Sequence, residues 1–442
     1  MCKSKKILIL GSGLVTGPIV DYLFKNGFSI TVASNIIEDA EKLINNNPKG
    51  KAVYFHTDEK EKLQNLIREN DLIVSLLPAS FHVIVAKICI EEKKNMVTTS
   101  YVSEEMNALK QKAKDADIII LNEVGLDPGI DHMSAMKIID EIKEKGGNIT
   151  GFNSCCGGLP APEHNDNPLG YKFSWSPRGV ILAARNSARY LKNGKEINVA
   201  SKDLFTDCNE IKIDEIGKLE IYPNRDSLPY IRKYSLEGVK DMFRGTLRNT
   251  GHCFTWLSLA KLGYFSLEKE YNTENMSFRS FFCKLIDCEE NSLFEKIESI
   301  TGIKEDSETM NKFKWLGLLD NSLIPFKKIT PLDLIADSML KKMSYNEREK
   351  DMVVLIHRFD VEFKDHKARY TSTLIDYGNP DGFTSMARTV SIPAAISIKL
   401  ILENKIKLKG VRIPVHKEIY EPILEELTRD HCIKFKDTIE KI

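Results

Sequence analysis

The chain has 442 residues, with 63 Lys and Arg against 63 Asp and Glu, 42% hydrophobic and 29% charged. That excludes a disordered chain, which needs fewer apolar residues or a large net charge, and leaves no electrostatic footing for a nucleic-acid or anionic-membrane partner. The length asks for two or three domains at roughly 100–200 residues each, and no apolar run approaches the roughly 18–20 residues of a membrane span.

Basic residues precede the apolar tetrad Ile7–Leu10, but glycines follow too soon for a signal-peptide core. Nine cysteines without a CxxC pair suit a reducing compartment, so a cytoplasmic protein is expected. Six short runs rich in Val and Ile then recur at 7–10, 30–33, 52–55, 72–77, 96–99 and 118–121. Each is apolar on both faces, as strands inside a parallel sheet are. Segments of helical spacing, such as 59–69 and 103–114, lie between them. The fold class is therefore α/β, a Rossmann-type doubly wound parallel sheet over residues 1–128. A helix over 131–145 follows, with Asp131 as N-cap and Gly146-Gly147 ending it. Residues 129–248 and 346–390 read as a mixed α/β substrate domain, with a helix over Val180–Asn193 and an antiparallel pair at 352–363 and 369–377. The Lys/Glu-rich stretch 249–345 reads as an all-helical insertion, and helical segments within 391–442 as returning to the first domain.

The first strand runs into Gly11-Ser12-Gly13-Leu14-Val15-Thr16-Gly17 and a helix opening at Pro18. Gly11 permits a tight turn, Gly13 lets the backbone approach a pyrophosphate, and Gly17 allows close helix–sheet packing. The helix N-terminus supplies N–H groups for phosphates. The second strand ends in Ser34 and Asn35, neither the acid that grips an NAD ribose nor the arginine that suits NADP. The residues themselves leave the cofactor open, with a lean away from a strict NAD enzyme. Beyond the ends of later strands stand Leu77, Thr99-Ser100-Tyr101 and Gly125-Leu126-Asp127-Pro128-Gly129. Asp127 and Tyr101 are candidates for proton handling or amine binding. Cys155-Cys156 opens a Gly- and Pro-rich stretch through Glu163, which has the texture of a shaped binding loop. Ligand spacing for zinc is missing, so no metal is expected. Arg225 and the string Arg244-Gly-Thr-Leu-Arg248 offer guanidinium forks, suited to a substrate with more than one carboxylate.

Gly11–Val15, Ser75–Pro78, Asn122–His132, Cys156–Glu163, Asn167–Gly179, Tyr222–Ser227 and Arg244–Arg248 together resemble saccharopine dehydrogenases of the L-glutamate-forming type. The resemblance spans nearly the whole chain. It implies reversible, NADP-dependent conversion of L-saccharopine and water to L-glutamate and 2-aminoadipate 6-semialdehyde in lysine metabolism. A homodimer is implied too, and a chain without a fused partner enzyme favours biosynthesis. Carried residue by residue, nucleotide contacts fall on Ser12, Gly13, Leu14, Val15, Leu77, Thr99, Ser100, Leu126, Asp127, Pro128 and Ser176. Saccharopine contacts fall on Ser100, Tyr101, Asp127, Arg225, Thr246, Leu247 and Arg248. Three positions depart from the pattern. Asn35 stands where the family tends to carry Arg, which leaves NAD open beside NADP; His56-Thr57 replaces a usual Asp, and Cys155 a common Tyr. In the reaction, Asp127 would orient or deprotonate the amine and Tyr101 relay the proton, with Cys156 a further candidate for either role. Two other readings stand beside this one. A reductase of a polyamine-derived imine fits the arginines badly, and a non-catalytic dinucleotide-binding regulator would have no need of Asp127 and Tyr101.

Overall fold

In this computed structural model, which describes residues 4–442, the chain folds as two compact units, Met1–Ile149 with Val361–Ile442, and Thr150–Asp360. The first is built on the six expected strands: β1 (Lys6–Leu10), β2 (Ser29–Ser34), β3 (Gly50–Tyr54), β4 (Leu72–Ser75), β5 (Asn95–Val97) and β6 (Ile119–Leu121). A seventh strand, Gly410–Arg412, lies outside β6, giving the order 410–412, β6, β5, β4, β1, β2, β3. Every pairing is parallel. Helices cover both faces, so the central strands bury nearly every side chain, as all four residues of β4 do. The chain reverses its winding between β1 and β4, the place where such sheets open a crevice beyond their carboxyl ends.

The expected return of the C-terminal segment is visible within this unit. The helix Ser385–Leu402 packs on helix α1 (Gly17–Lys25), and its Ser391 hydroxyl donates to the carbonyl of Val15. It is long and apolar enough to cross a membrane, although no such run was expected, and 78% of it is buried inside the protein.

In the second unit the sheet runs β10 (Asn209–Ile213), β11 (Gly217–Pro223), β12 (Asp241–Asn249), β7 (Asn148–Pro160) and the strand Asp351–Glu362. β12 is parallel to β7 and antiparallel to β11. A hairpin of β8 (Ala188–Lys192) and β9 (Lys195–Val199) joins β12 through the pairing of Leu191 with Met242.

Several expectations need correction. The first unit runs to Ile149 and so includes the helix Ile130–Glu144; it also holds the strand Lys367–Tyr377. Asp131 sits in that helix's first turn rather than capping it; Gly129 holds the N-cap position. The helix predicted over 180–193 is Pro177–Ala183, and its second half is β8. Residues 249–345 are neither all helix nor a separate insertion. Tyr271–Asn272 pairs with Lys328–Ile329, and Trp256, Phe281, Phe313 and Leu332 share one apolar core with Leu169, Tyr171, Val180 and Phe205. Cys208 and Cys253 are joined as a disulfide, where only thiols were expected, while Cys89, Cys155, Cys156, Cys283, Cys288 and Cys432 keep their thiols.

Candidate active site

The glycine loop leaves β1 with Gly11 at φ +106°, where any Cβ would also stand 3.0 Å from the carbonyl oxygen of Leu76. No atom lies within 4 Å of a Cβ built at Gly13, so the backbone there is open to a ligand, and Leu14 beside it is 67% exposed. Gly17 has a different task from the one expected. The ring of Phe383 occupies the place of its Cβ, so the residue admits that ring rather than a strand. Helix α1 begins without a side-chain cap and without an acidic residue in its first turn. Its N-terminal N–H groups are thus suited to an anion. At the end of β2 the buried Ser34 shares a 2.7 Å hydrogen bond with Ser12 and accepts one from the Ile36 N–H, while Asn35 is exposed. With no carboxylate at either position, nothing there repels a 2′-phosphate. The loop, the uncapped helix and this hydroxyl pair fit a phosphorylated dinucleotide.

The ends of β4 and β5 meet at a histidine that nothing in the sequence marks out. His82 Nδ1 lies 2.8 Å from the Ser75 hydroxyl, and its Nε2 lies 2.8 Å from the hydroxyl of Ser100. Burial pushes its pKa down to about 4, so the ring is neutral at pH 7, with one nitrogen donating and the other accepting. A lone histidine opening a helix carries no distinguishing pattern in sequence. Only its partners, brought in by two other strands, reveal it. Leu77 and Thr99 are half-buried nearby in the chain.

Beyond β6 the segment Gly125–Gly129 turns back on itself through a cis Asp127–Pro128 bond, and the Gly125 N–H donates to the Pro128 carbonyl at 2.9 Å. Leu126 and Pro128 are buried, and Asp127 is half-buried. The Tyr101 hydroxyl donates to Asp127 Oδ1 at 2.7 Å. Two residues singled out separately, from β5 and β6, therefore form one pair: a carboxylate with a phenol that can pass it a proton.

In the second unit β12 brings Thr246, Leu247 and Arg248 together, with Thr246 in register with Cys156 on β7. Leu247 buries its side chain completely, and its carbonyl accepts from Arg248 Nη1 at 2.9 Å. Arg248 is 6% exposed and lies 4.8 Å from the centre of the Tyr171 ring. Among the described residues no carboxylate pairs with it, and its buried Nε has no hydrogen-bond partner. A buried guanidinium in that condition is ready for an anion. Arg225 is exposed on a left-handed turn at φ +55°, and Cys156 is buried at 8%. Ser176 caps the helix Pro177–Ala183, accepting from the Gly179 N–H, and belongs to this unit rather than to the one holding the glycine loop. Cys208, Glu220 and Cys253 cluster within 4.8 Å, but the two sulfurs are bonded and Glu220 accepts the Gly251 and Cys253 N–H groups.

A parallel sheet that carries a glycine loop and a carboxylate–phenol pair beyond its strand ends defines a nicotinamide-dependent oxidoreductase. The family model for the saccharopine dehydrogenase NADP binding domain matches residues 7–121, and that for the saccharopine dehydrogenase C-terminal domain matches 125–432. The chain belongs to the saccharopine dehydrogenase family. It is 38% identical over 451 residues to saccharopine dehydrogenase [NADP(+), L-glutamate-forming] of Pyricularia oryzae, covering 99% of each chain. The same identity extends over 98% of it to the mitochondrial alpha-aminoadipic semialdehyde synthase of Rattus norvegicus, of which it spans 48%. The apo structure of saccharopine dehydrogenase (L-Glu forming) from Saccharomyces cerevisiae superposes with a TM-score of 0.89 at 37% identity, over 99% of this chain and 100% of that one.

Proposed function

We infer that the protein is an NADP-dependent oxidoreductase of lysine metabolism that interconverts L-saccharopine and water with L-glutamate and 2-aminoadipate 6-semialdehyde. The observation that carries this reading is Arg248, a buried guanidinium with no carboxylate among the described residues to neutralise it. Saccharopine has three carboxylates and a secondary amine. Polyamine imines are cations and would be repelled by the same residue, and a regulator that only binds dinucleotide has no use for it.

The glycine loop and the N-terminus of α1 would hold the pyrophosphate of NADP⁺, which would supply hydride acceptance from the carbon that was the ε-carbon of lysine. The chain's own groups do the rest. The amine must be neutral before a hydride leaves its neighbouring carbon, and the Asp127 carboxylate takes that proton. Water then adds to the resulting imine. The Tyr101 hydroxyl, bonded to Asp127, passes protons between the water-derived oxygen and the nitrogen until the C–N bond breaks. Arg248 and Arg225 bind substrate carboxylates. Cys156, on the strand beside Thr246, borders the same stretch of β12.

The chain acts as a cytoplasmic homodimer in the biosynthetic direction. The cysteines that keep their thiols support a reducing compartment, and the Cys208–Cys253 bond is the feature that argues the other way. Nicotinamide absorbance with saccharopine and either NADP⁺ or NAD⁺ tests the assignment. Reduction with saccharopine supports it, and no turnover with saccharopine alongside turnover of a polyamine-derived imine overturns it.

A further inference from the structure

The buried cluster behind the Tyr101–Asp127 pair has no part in the reaction described so far. Glu123, Asp131 and His132 are at most 1% exposed. His132 Nε2 lies 2.8 Å from Glu123 Oε2, and its Nδ1 lies 3.4 Å from Asp131 Oδ2, so one imidazole has a carboxylate at each nitrogen. The outer oxygens of both carboxylates hold backbone. Glu123 Oε1 accepts the Val102 N–H at 3.0 Å, and Asp131 Oδ1 accepts the Gly129 N–H at 2.6 Å. The Glu123 N–H also donates to the Ser100 carbonyl at 3.1 Å, from a left-handed backbone at φ +58°.

These contacts grip the residues on either side of Tyr101 and the turn that carries Asp127. We propose that Glu123, His132 and Asp131 form a positioning clamp that sets the Tyr101–Asp127 hydrogen bond, acting on the proton-transfer step and not on cofactor or substrate binding. The inference rests on the role given to Asp127. Its physical basis is that a dry, buried polar array favours one arrangement, because disturbing any member is costly. The two backbone segments it ties follow neighbouring parallel strands, β5 and β6, and the cluster extends their fixed spacing beyond the strand ends. Loosening them lengthens the path a proton must cross, and small misplacements cost rate steeply.

The test is a kinetic cycle. Glu123→Gln keeps an acceptor for the Val102 N–H and removes the charge facing His132; His132→Gln removes the imidazole. Each should lower kcat about ten-fold or more while leaving saccharopine KM and NADPH affinity within about two-fold. In an Asp127→Asn background the same substitution should cost less than about two-fold, because the group it positions has gone. Full multiplication of the two losses, or a loss confined to KM, overturns the clamp. An unchanged kcat in Asp127→Asn alone overturns the role of Asp127 and the clamp with it, a result distinct from the first. Should His132→Gln lose its thermal transition, Glu123→Gln carries the cycle.

Discussion

The two units place their functional groups by opposite means. In the first, a parallel sheet is covered on both faces and its strands bury almost everything they carry, as Leu72–Ser75 does. Only the loops beyond the strand ends are free to do chemistry, and Gly13, Ser100, Tyr101 and Asp127 all lie there. In the second, β12 alternates along a mixed sheet, and Arg244, Thr246 and Arg248 share one side of the strand by period two. Binding groups there sit in the middle of a strand. The glycine loop offers backbone to a ligand, whereas a strand face offers a side chain at every second residue.

The sharpest way to break this contrast is Asp127→Asn, which should lower kcat by about 10²–10⁴-fold with substrate and cofactor affinities nearly unchanged, the range expected for losing an acid–base group; stopped-flow turnover reads it. Arg248→Ala should lower kcat/KM for saccharopine about 10²-fold, since each charge-assisted hydrogen bond contributes about 1.5–3 kcal/mol, and should leave the NADPH dissociation constant alone. Equal loss of both affinities would dissolve the division of labour. Arg225→Ala, at an exposed position, should raise the saccharopine KM about ten-fold, less than the buried arginine. Asn35→Arg should sharpen the comparison from the other side, shifting the NADP/NAD preference several-fold, roughly 1 kcal/mol, with saccharopine KM unmoved. A last effect is on stability and leaves turnover aside. The folded protein keeps His82 neutral down to about pH 4, whereas the unfolded chain protonates it near 6.5. Its contribution is complete above pH 6.5 and is lost as the pH falls from there towards 4, at no more than about 1.4 kcal/mol per pH unit. Denaturant midpoints at pH 7 and pH 5 should therefore differ less in His82→Asn than in the parent.

Much of this was legible beforehand, for definite reasons. The parallel strands declare themselves because burial on both faces demands continuous Val and Ile, and the resemblance carried across the whole chain. The failures have physical causes as well. The segment 180–193 has helical spacing, yet Gly194 at φ +73° turns it into a hairpin, and Tyr190 packs edge-on against Phe243 of β12, a contact invisible in local sequence. Asp131 looked like a helix cap because capping residues and first-turn acids share a composition; here its carboxylate reaches back to the Gly129 N–H. Gly17 was assigned to helix–sheet contact, but its neighbour Phe383 lies more than 360 positions away. The contacts of His82 and of Glu123, His132 and Asp131 carry no local sequence pattern, because their partners assemble only when several strand ends meet. At the candidate site, residue types were readable, and the hydrogen bond joining Tyr101 to Asp127 was not.

The strand Gly410–Arg412, at one edge of the nucleotide-binding sheet, bears on how the protein is made. Its register with Ile119–Leu121, and the seat of Ser385–Leu402 on α1, mean that the early strands wait for residues made much later before their sheet and core are complete. The substrate unit, contiguous in sequence, can mature while the tail is still being translated. Truncation a few dozen residues short of the end should therefore abolish cofactor retention first, although the glycine loop lies at the opposite terminus.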